Sequence, residues 1–351
     1  MQNSRLNRFP YPRKRSIALF FLLFLPILLG CGLSSIGQPT DTPAPVLGPT
    51  ATPLPTVPPP VSVLGSSENP IILALAPSTQ NTTAVENASK TLVGLLEQGT
   101  NYHIVSVLPP DETSLVKGFG TGNAHIGVLT PFAYLEASSQ GNVQAAFARQ
   151  VGDAIFYDAQ FLARADTGFT PYYDALKNAN LADAPIALAQ FQNKKPCWTD
   201  ELSASGYVVP LGYINQAHVV LRDQAFLAGH VAVVRALEAG GICDFGATYV
   251  DARTYPGLQD DYPDLMKTVI VIWRIPRIIP YESLVFATGM SEDMRRNLTR
   301  AFVDLSTTPE GKAAMSTLYG FESMQVVQDS DYEPFRKAVK ASGVDLDTLI
   351  K

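Results

Sequence analysis

The sequence predicts an α/β fold with two lobes, and three observations support this prediction. Short apolar runs such as 71–75 and 125–129 alternate with stretches of helical periodicity, as in parallel sheets that are covered by helices on both faces. The runs end in polar loops that are rich in helix-capping residues. About 280 residues follow the N-terminal segments, which is enough for two lobes of the usual domain size. Each lobe should therefore contain a mixed, mainly parallel sheet flanked by helices.

The order of the elements predicts that one lobe is inserted into the other. A strand at 156–164 leads into a second α/β region, and a strand at 268–273 returns from it. Within the second region we expect strands near 186–189, 217–220 and 242–247. The stretch after 291 is mainly helical.

These boundaries assign residues 69–163 and 272–351 to lobe I, and residues 164–271 to lobe II. Two crossing segments then form the hinge. Ligands of open parallel sheets bind beyond the carboxyl ends of the strands, so the loops at 76–81 and 130–132 should line a site. Their candidate ligand-binding residues are Ser78, Thr79 and Thr130.

The N-terminus has the features of a bacterial lipoprotein signal peptide, residues 1–30. Five basic residues precede a 13-residue apolar run, Ile17 to Leu29, which is shorter than the roughly 20 residues of a membrane-spanning helix. The run ends in a segment, Leu28 to Cys31, that resembles a lipobox, so we expect Cys31 to be lipidated. The alternatives are cleavage by the ordinary signal peptidase, or an uncleaved anchor in which Cys31 is incidental.

Residues 31–68 are rich in Pro and Thr and carry almost no charge. Such a composition cannot bury a core and predicts a disordered, extended tether. A tether that directly follows a lipid anchor lets a globular domain stand off the membrane. We therefore expect an extracytoplasmic protein that is anchored to the cell membrane.

The charge balance limits the partners. Removal of the five basic leader residues changes the formal net charge from −6 to −11. An acidic surface argues against nucleic acid, and it requires that any bound anion be held by local dipoles and hydrogen bonds. The chain has four His and no Cys-x-x-Cys pair, so neither a metal nor another cofactor is expected.

The most informative segment runs from Cys197 to Pro210. The hydroxyls of Ser203 and Ser205, with Gly206, open a helix where backbone N–H groups converge and the dipole is positive. An oxyanion fits such a place without a Lys or Arg. By composition alone, an ordinary N-cap explains the same residues.

This segment resembles the Ser-Thr-Ser-Gly helix start, followed by an aromatic, an aliphatic residue and proline, of the phosphonate and phosphite binding proteins of ABC importers. The likeness covers about residues 70–325, and Ala204 replaces the middle Thr. The resemblance implies a type 2 periplasmic-binding fold with the ligand in a cleft between the lobes. It also implies a binding protein for a phosphonate, phosphite, phosphate or related small oxyanion.

The same resemblance assigns roles to further residues. His230 would donate to the oxyanion, and Tyr157 would face the ligand. Asp251 matches an acid that receives a ligand ammonium, and Glu282 stands where the family has Asp. Glu112 occupies a position where the family can have an aromatic residue, which leaves the organic part of the ligand open.

The implied partners are the small oxyanion and an ABC permease in the membrane, and the protein is expected to be a monomer. Two alternatives stay open at this point. The chain could be a sensor that passes its ligand signal to a membrane kinase, or a binding protein for an unrelated small anion.

Two cysteines remain if Cys31 takes lipid, and an exported protein can join Cys197 and Cys243 as a disulfide. Catalytic sets are weaker explanations. A thiol triad of Cys197, His230 and Asp244 lacks a nucleophile motif. A glycosidase pair of Asp251 and Glu282 needs a separation that the sequence cannot supply. We therefore do not expect an enzyme.

Overall fold

The computed structural model describes residues 62–77 and 82–350, which belong to one compact unit. The predicted signal peptide, Cys31, residues 31–61 of the predicted tether, and Ser78 and Thr79 lie outside the described residues. Within the described ranges, no helix is long and apolar enough to cross a membrane.

Two β-sheets and a small hairpin form the framework. The strands are β1 Ile71–Ala74, β2 Ile104–Val107, β3 Ile126–Leu129, β4 Val143–Gln150, β5 Phe156–Arg164, β6 Tyr173–Asp174, β7 Ala179–Asn180, β8 Pro196–Trp198, β9 Ala225–Phe226, β10 Phe245–Tyr249, β11 Val269–Pro280, β12 Ser283–Ala287 and β13 Ser323–Val326. The α-helices are α1 Thr83–Thr100, α2 Glu112–Thr121, α3 Pro131–Ser139, α4 Ala184–Leu188, α5 Val209–Gln216, α6 His230–Ala239, α7 Leu258–Asp261, α8 Leu265–Thr268, α9 Glu292–Leu305, α10 Pro309–Tyr319 and α11 Glu333–Ser342. A π-helical turn, Ala204–Val208, leads directly into α5.

The first sheet has six strands in the order β13-β4-β12-β3-β1-β2. Strand β1 pairs in parallel with β2 and β3, while β12, β4 and β13 add antiparallel pairs. The second sheet has the order β11-β5-β10-β8-β9, with β10, β8 and β9 parallel and β5 antiparallel to β10 and β11. The predicted α/β class with mixed sheets is confirmed.

The sheets contain fewer parallel pairs than expected, because the strands that pass between the sheets run against their neighbours. The chain leaves the six-stranded sheet after β4 and enters the second sheet at β5. It returns through β11, which pairs antiparallel with β5 along its length, and re-enters the first sheet at β12. The antiparallel pairs therefore concentrate at the two crossings.

Two strands expected in the second region are wrong. Residues 186–189 lie in α4 and the 3₁₀ turn after it, because Asp183 and Pro185 provide a helix start that a four-residue apolar run does not reveal. Residues 217–220 follow α5 with His218 in the left-handed conformation, which interrupts any strand there. The strand that flanks β8 is instead the two-residue β9.

Local sequence explains where the helices begin and end. Thr82, Asp111, Ser291 and Thr308 each accept a backbone N–H in the first turn of the helix that follows. Helices α2 and α10 end at glycines with positive φ, Gly122 and Gly320, where other residues are strained. These caps fix the ends of helices whose apolar periodicity the sequence already shows.

The C-terminal helix α11 contacts both sheet regions. Phe335 stacks on Phe132 of α3 with ring centroids 5.7 Å apart. On its other side α11 packs against α5, where Gly212 approaches so closely that a Cβ would lie 2.1 Å from the carbonyl oxygen of Ala338. The amide of Asn215 adds hydrogen bonds to the carbonyls of Ala341 and Ser342. Because α11 packs on elements of both regions, its assignment to lobe I stays a prediction.

Candidate functional site

Three loops of the second sheet meet at one edge. Strands β10, β8 and β9 are neighbours and parallel, so their carboxyl ends lie together. Ser203 follows β8, His230 follows β9 and Asp251 follows β10. The topology therefore brings together three of the residues that the sequence predicted to bind ligand.

The turn that contains the predicted oxyanion residues begins at Ser203. Its Oγ accepts the N–H of Gly206 at 3.0 Å, and its carbonyl accepts the N–H groups of Tyr207 and Val208. Ser203 is thus an N-cap. A hydroxyl that accepts one hydrogen bond still has a proton to donate, so the cap leaves Ser203 able to bind an anion. Ser205, in the first turn, is buried.

The close approach of Thr199 requires a glycine at position 206. A Cβ at this position would lie 2.1 Å from Oγ1 of Thr199, closer than any real contact. The glycine therefore allows the turn to pack on the residue that follows β8. The Oγ1 of Thr199 is buried and has no hydrogen-bond partner among the residues that the structure describes.

Tyr157 reaches the serine turn from β5. Burial raises the pKa of its hydroxyl to about 12, although a hydrogen bond with the Ser205 side chain lowers it. The ring also packs on Tyr281, with centroids 5.1 Å apart. At neutral pH Tyr157 is therefore an uncharged O–H donor beside Ser205.

His230 is the first residue of α6, and its ring is oriented by the backbone. Nδ1 accepts the N–H of Tyr249 at 3.3 Å. Burial lowers the pKa of His230, and the nearby charge of Asp200 only partly opposes this. The imidazole is then neutral, and the hydrogen bond at Nδ1 assigns its proton to Nε2. His230 can donate one hydrogen bond without bringing a positive charge.

Asp251 is already paired with a buried cation. Its carboxylate binds the guanidinium of Arg253, with Nη2 and Oδ2 2.5 Å apart, and accepts a hydrogen bond from Gln160 at 2.8 Å. Burial raises the pKa of Asp251, but the hydrogen bonds and charge of Arg253 outweigh it, so the pKa is lowered. The carboxylate of Asp251 therefore already has two partners inside the protein, Arg253 and Gln160. Its predicted contact with a ligand ammonium stays a prediction.

The edge of the first sheet carries acids. Thr130 is exposed, and its N–H donates to Oε1 of Glu112 at 2.9 Å. Burial raises the pKa of Glu112 despite this bond, and the charge of Glu282 raises it further. Glu282 pairs with Arg149 at 3.1 Å. Glu112 and Arg149 thus contact two of the residues that the sequence predicts to bind ligand, Thr130 and Glu282, and the only sequence signal of this is the departure at Glu112 from the family pattern.

The thiol triad considered from the sequence does not form. Cys197 and Cys243 are joined as a disulfide, with Cα atoms 5.7 Å apart, so Cys197 carries no free thiol. The Nδ1 of His230 is bound to the backbone rather than to Asp244, whose carboxylate accepts the N–H of Lys195. Within the described ranges, no group of three or more His, Cys, Asp or Glu could hold a metal ion.

A separate depression lies on the second sheet's side of the molecule. It has a volume of about 550 Å³, and its lining includes Arg164, Lys195, Arg222 and Cys243. The lining also contains the acids Asp166 and Asp244, and Asp166 pairs with Arg164, so the three cations leave only a small net positive charge to attract an anion. It is distinct from the serine turn, because none of the predicted ligand-binding residues lines it.

The two mixed sheets, with polar loops at the carboxyl ends of their parallel strands, agree with the type 2 periplasmic-binding fold that the sequence predicts. A family model described as "ABC transporter, phosphonate, periplasmic substrate-binding protein" matches residues 74–332. The chain belongs to this family, whose members are binding proteins of transporters and not enzymes.

Individual relatives agree with this assignment. The Phosphate-import protein PhnD of Mycolicibacterium smegmatis is 30% identical over 215 residues, which are 57% of this chain and 61% of that protein. The Xanthomonas citri protein XAC2383, solved bound to ATP, has a TM-score of 0.52 at 12% identity and covers 78% of this chain and 96% of its own. This structural likeness supports the fold alone.

Proposed function

We propose that this protein is the lipid-anchored, extracytoplasmic receptor of an ABC importer and that it binds a phosphonate, phosphite or phosphate. In this proposal, residues 69–163 and 272–351 form one lobe and residues 164–271 the other, and the ligand is enclosed between them. The lobes close about the segments between β4 and β5 and between β11 and β12. The closed, loaded receptor then docks on the membrane permease.

The observation that carries the proposal is the convergence of uncharged donors at the serine turn. The side chain of Ser205 lies beside the hydroxyl of Tyr157 and acts to lower its pKa, and Gly206 lets the turn approach β8. His230 follows the neighbouring strand, and because its Nδ1 accepts the N–H of Tyr249, its Nε2 is the nitrogen that donates. Hydrogen bonds to a charged group contribute about 1.5 to 3 kcal/mol each, so a few such donors can hold an oxyanion in an acidic protein.

Membership in the phosphonate-binding family supports the class of ligand. The relative from Mycolicibacterium is named for phosphate import, and the shared segment includes just over three fifths of it. Binding measurements therefore have to identify which phosphorus oxyanion the protein binds.

The test is calorimetric titration of the protein with methylphosphonate, phosphite and phosphate. Ser205→Ala should weaken every accepted ligand by roughly ten- to a hundred-fold, because one charge-assisted hydrogen bond is lost. An unchanged affinity for all of them would show that the anion does not bind at this turn.

Ser203 needs a matched control, because it also caps the helix. Ser291 caps α9 in the same way, its Oγ accepting the N–H of Met294 at 3.2 Å. Ser203→Ala and Ser291→Ala should each lower the free energy of unfolding by about 1 kcal/mol. Only Ser203→Ala should also weaken oxyanion binding. Equal affinities in the two variants would reduce Ser203 to a capping residue.

The anchor is tested separately. Fatty-acid labelling in a bacterial host should tag the protein but not Cys31→Ser. Equal labelling of both would remove Cys31 from the proposal without affecting the binding site.

A further inference from the structure

The pairing of β11 with β5, at the crossing between the sheets, contains a bulge. The register of the two strands shifts between Ile275 and Ile279 of β11. The three residues between them lie opposite one residue of β5, Asp158. Beyond the bulge, Ile279 lies opposite Tyr157, one of the predicted ligand-binding residues. The bulge therefore sets which residues of β11 lie beside Tyr157.

The sequence of β11 explains why the strand bulges here. Side chains two residues apart point to the same face of a regular strand, so residue 277 would lie between the fully buried Ile275 and Ile279. An unpaired guanidinium is strongly unfavourable in such an apolar place. The bulge instead leaves the side chain of Arg277 56% exposed. Pro276, which has no N–H to contribute to the strand pairing, lies in the bulge as well.

An ion pair across the strands holds Arg277. Its Nε lies 3.0 Å from Oδ1 of Asp158, whose side chain is 22% exposed. No other ion pair of Asp158 is found in residues 62–77 and 82–350. The backbone carbonyl of Asp158 also accepts the N–H of Val250, the residue that follows β10, at 3.1 Å. Asp158 therefore links the bulge of β11 to β5 and to the end of β10.

The residue before Asp158 belongs to the candidate site. The hydroxyl of Tyr157 lies beside the side chain of Ser205. Its ring packs on Tyr281, which follows β11, with centroids 5.1 Å apart. The position of the Tyr157 hydroxyl at the serine turn therefore depends on the register that the bulge sets.

We propose that Arg277 is a positioning residue of the oxyanion site. Through its ion pair with Asp158 it keeps the bulge in place, and the bulge holds Tyr157 where its hydroxyl reaches an oxyanion at the serine turn. Arg277 itself does not contact the ligand. The proposal rests on the proposed function, because it needs an oxyanion bound at that turn.

Arg277→Gln tests the ion pair, because it removes the charge and keeps a polar side chain that can stay exposed. Calorimetry should show that affinity for methylphosphonate falls about three- to ten-fold, since the Tyr157 hydroxyl is displaced rather than removed. Arg277→Lys keeps the charge and should retain most of the affinity. An equal loss in both variants would contradict the role of the ion pair.

Arg235→Gln is the matched control. Arg235 is 52% exposed and pairs with Asp261 at 2.9 Å, away from the bulge. This variant should bind methylphosphonate as the unmodified protein does. Asp158→Asn breaks the pair at the bulge from its other side and should show the same loss as Arg277→Gln. It provides a second variant if Arg277→Gln does not fold.

The dependence on Tyr157 separates positioning from a general effect on the fold. In Tyr157→Phe, which lacks the hydroxyl, the additional change Arg277→Gln should weaken binding by less than about two-fold, because the group that it positions is absent. Equal losses with and without the Tyr157 hydroxyl would show that Arg277 acts independently of it, and the proposal would be overturned.

The two proposals fail in different ways. If the unmodified protein binds neither methylphosphonate nor phosphite nor phosphate, the proposed function fails and this inference fails with it. If the protein binds one of them and Arg277→Gln and Asp158→Asn bind it equally well, Arg277 is only the counter-ion of Asp158. In that case the inference is overturned while the oxyanion site stands.

Discussion

The two sheets differ in the groups at their carboxyl edges, although each edge also holds an ion pair, Asp251 with Arg253 and Glu282 with Arg149. The edge of the five-stranded sheet offers uncharged donors, Ser203, Ser205 and His230, the last kept neutral by burial. The edge of the six-stranded sheet offers the carboxylates of Glu112 and Glu282. A parallel sheet with helices at its carboxyl end does not by itself make an anion site, because a single acid in the first turn can occupy the helix N-terminus.

The contrast between the edges depends first on Gly206. Gly206→Ala should reduce oxyanion affinity more than a hundred-fold, because the added Cβ would overlap Thr199 and displace the serine turn. Gly94→Ala is the control, since no atom lies within 4 Å of a Cβ there, and it should stabilise α1 by about 0.5 to 1 kcal/mol. Calorimetry and thermal unfolding measure both. Retained affinity in Gly206→Ala would mean that the turn does not position the anion.

Substitution of Asp251 tests whether the acid at the carboxyl edge of the five-stranded sheet stabilises the fold or binds the ligand. Asp251→Asn should lower the free energy of unfolding by about 3 kcal/mol, because it leaves the buried Arg253 without its partner. The exposed pair of Asp166 with Arg164 is the comparison, and Asp166→Asn should cost less than about 1 kcal/mol. Chemical denaturation measures the difference.

The same pair predicts a pH dependence. The pKa of Asp251 is lower in the folded state than its ordinary value of 3.8, so its contribution to stability is fully present above that value. It is lost as the pH falls through the folded-state pKa. Asp251→Asn should therefore be less sensitive to acid than the unmodified protein. A loss confined to amine-bearing ligands, with stability unchanged, would instead support the ammonium contact predicted from the sequence.

The smallest effect concerns two buried threonines of the second sheet. The hydroxyl of Thr248 donates to the carbonyl of Tyr249 at 2.9 Å, whereas that of Thr199 lacks a partner among the described residues. Thr248→Val should cost about 1 kcal/mol, while Thr199→Val should be neutral or slightly stabilising. An equal cost for both, measured by chemical denaturation, would show that Thr199 has a hydrogen bond in solution.

Much of the fold followed from local patterns. Apolar runs predict the buried strands β1, β3, β10 and β11, and an apolar stripe predicts α9. Sequence patterns predict the strands of the second region less accurately, because β8 and β9 have only three and two residues and are too short to show a periodicity.

The residues of the candidate site also differ in how well the sequence predicts them. The residues of the serine turn are contiguous, so a motif could find them. The partners of Glu112 are distant in sequence, Thr130 by 18 residues and Glu282 by more, and only the packing of the sheet brings them together. Arg253 lies two residues from Asp251, yet no local pattern indicates that it turns back to bind that carboxylate.

A co-crystal structure with methylphosphonate tests the central claim most directly, because it locates the anion. Our account predicts phosphonate oxygens about 2.6 to 3.2 Å from the hydroxyls of Ser205 and Tyr157, with Nε2 of His230 as a further donor. The cationic depression lined by Arg164, Lys195 and Arg222 is the competing location. A phosphonate bound there, with the serine turn unoccupied, would contradict the claim that uncharged donors form the binding site.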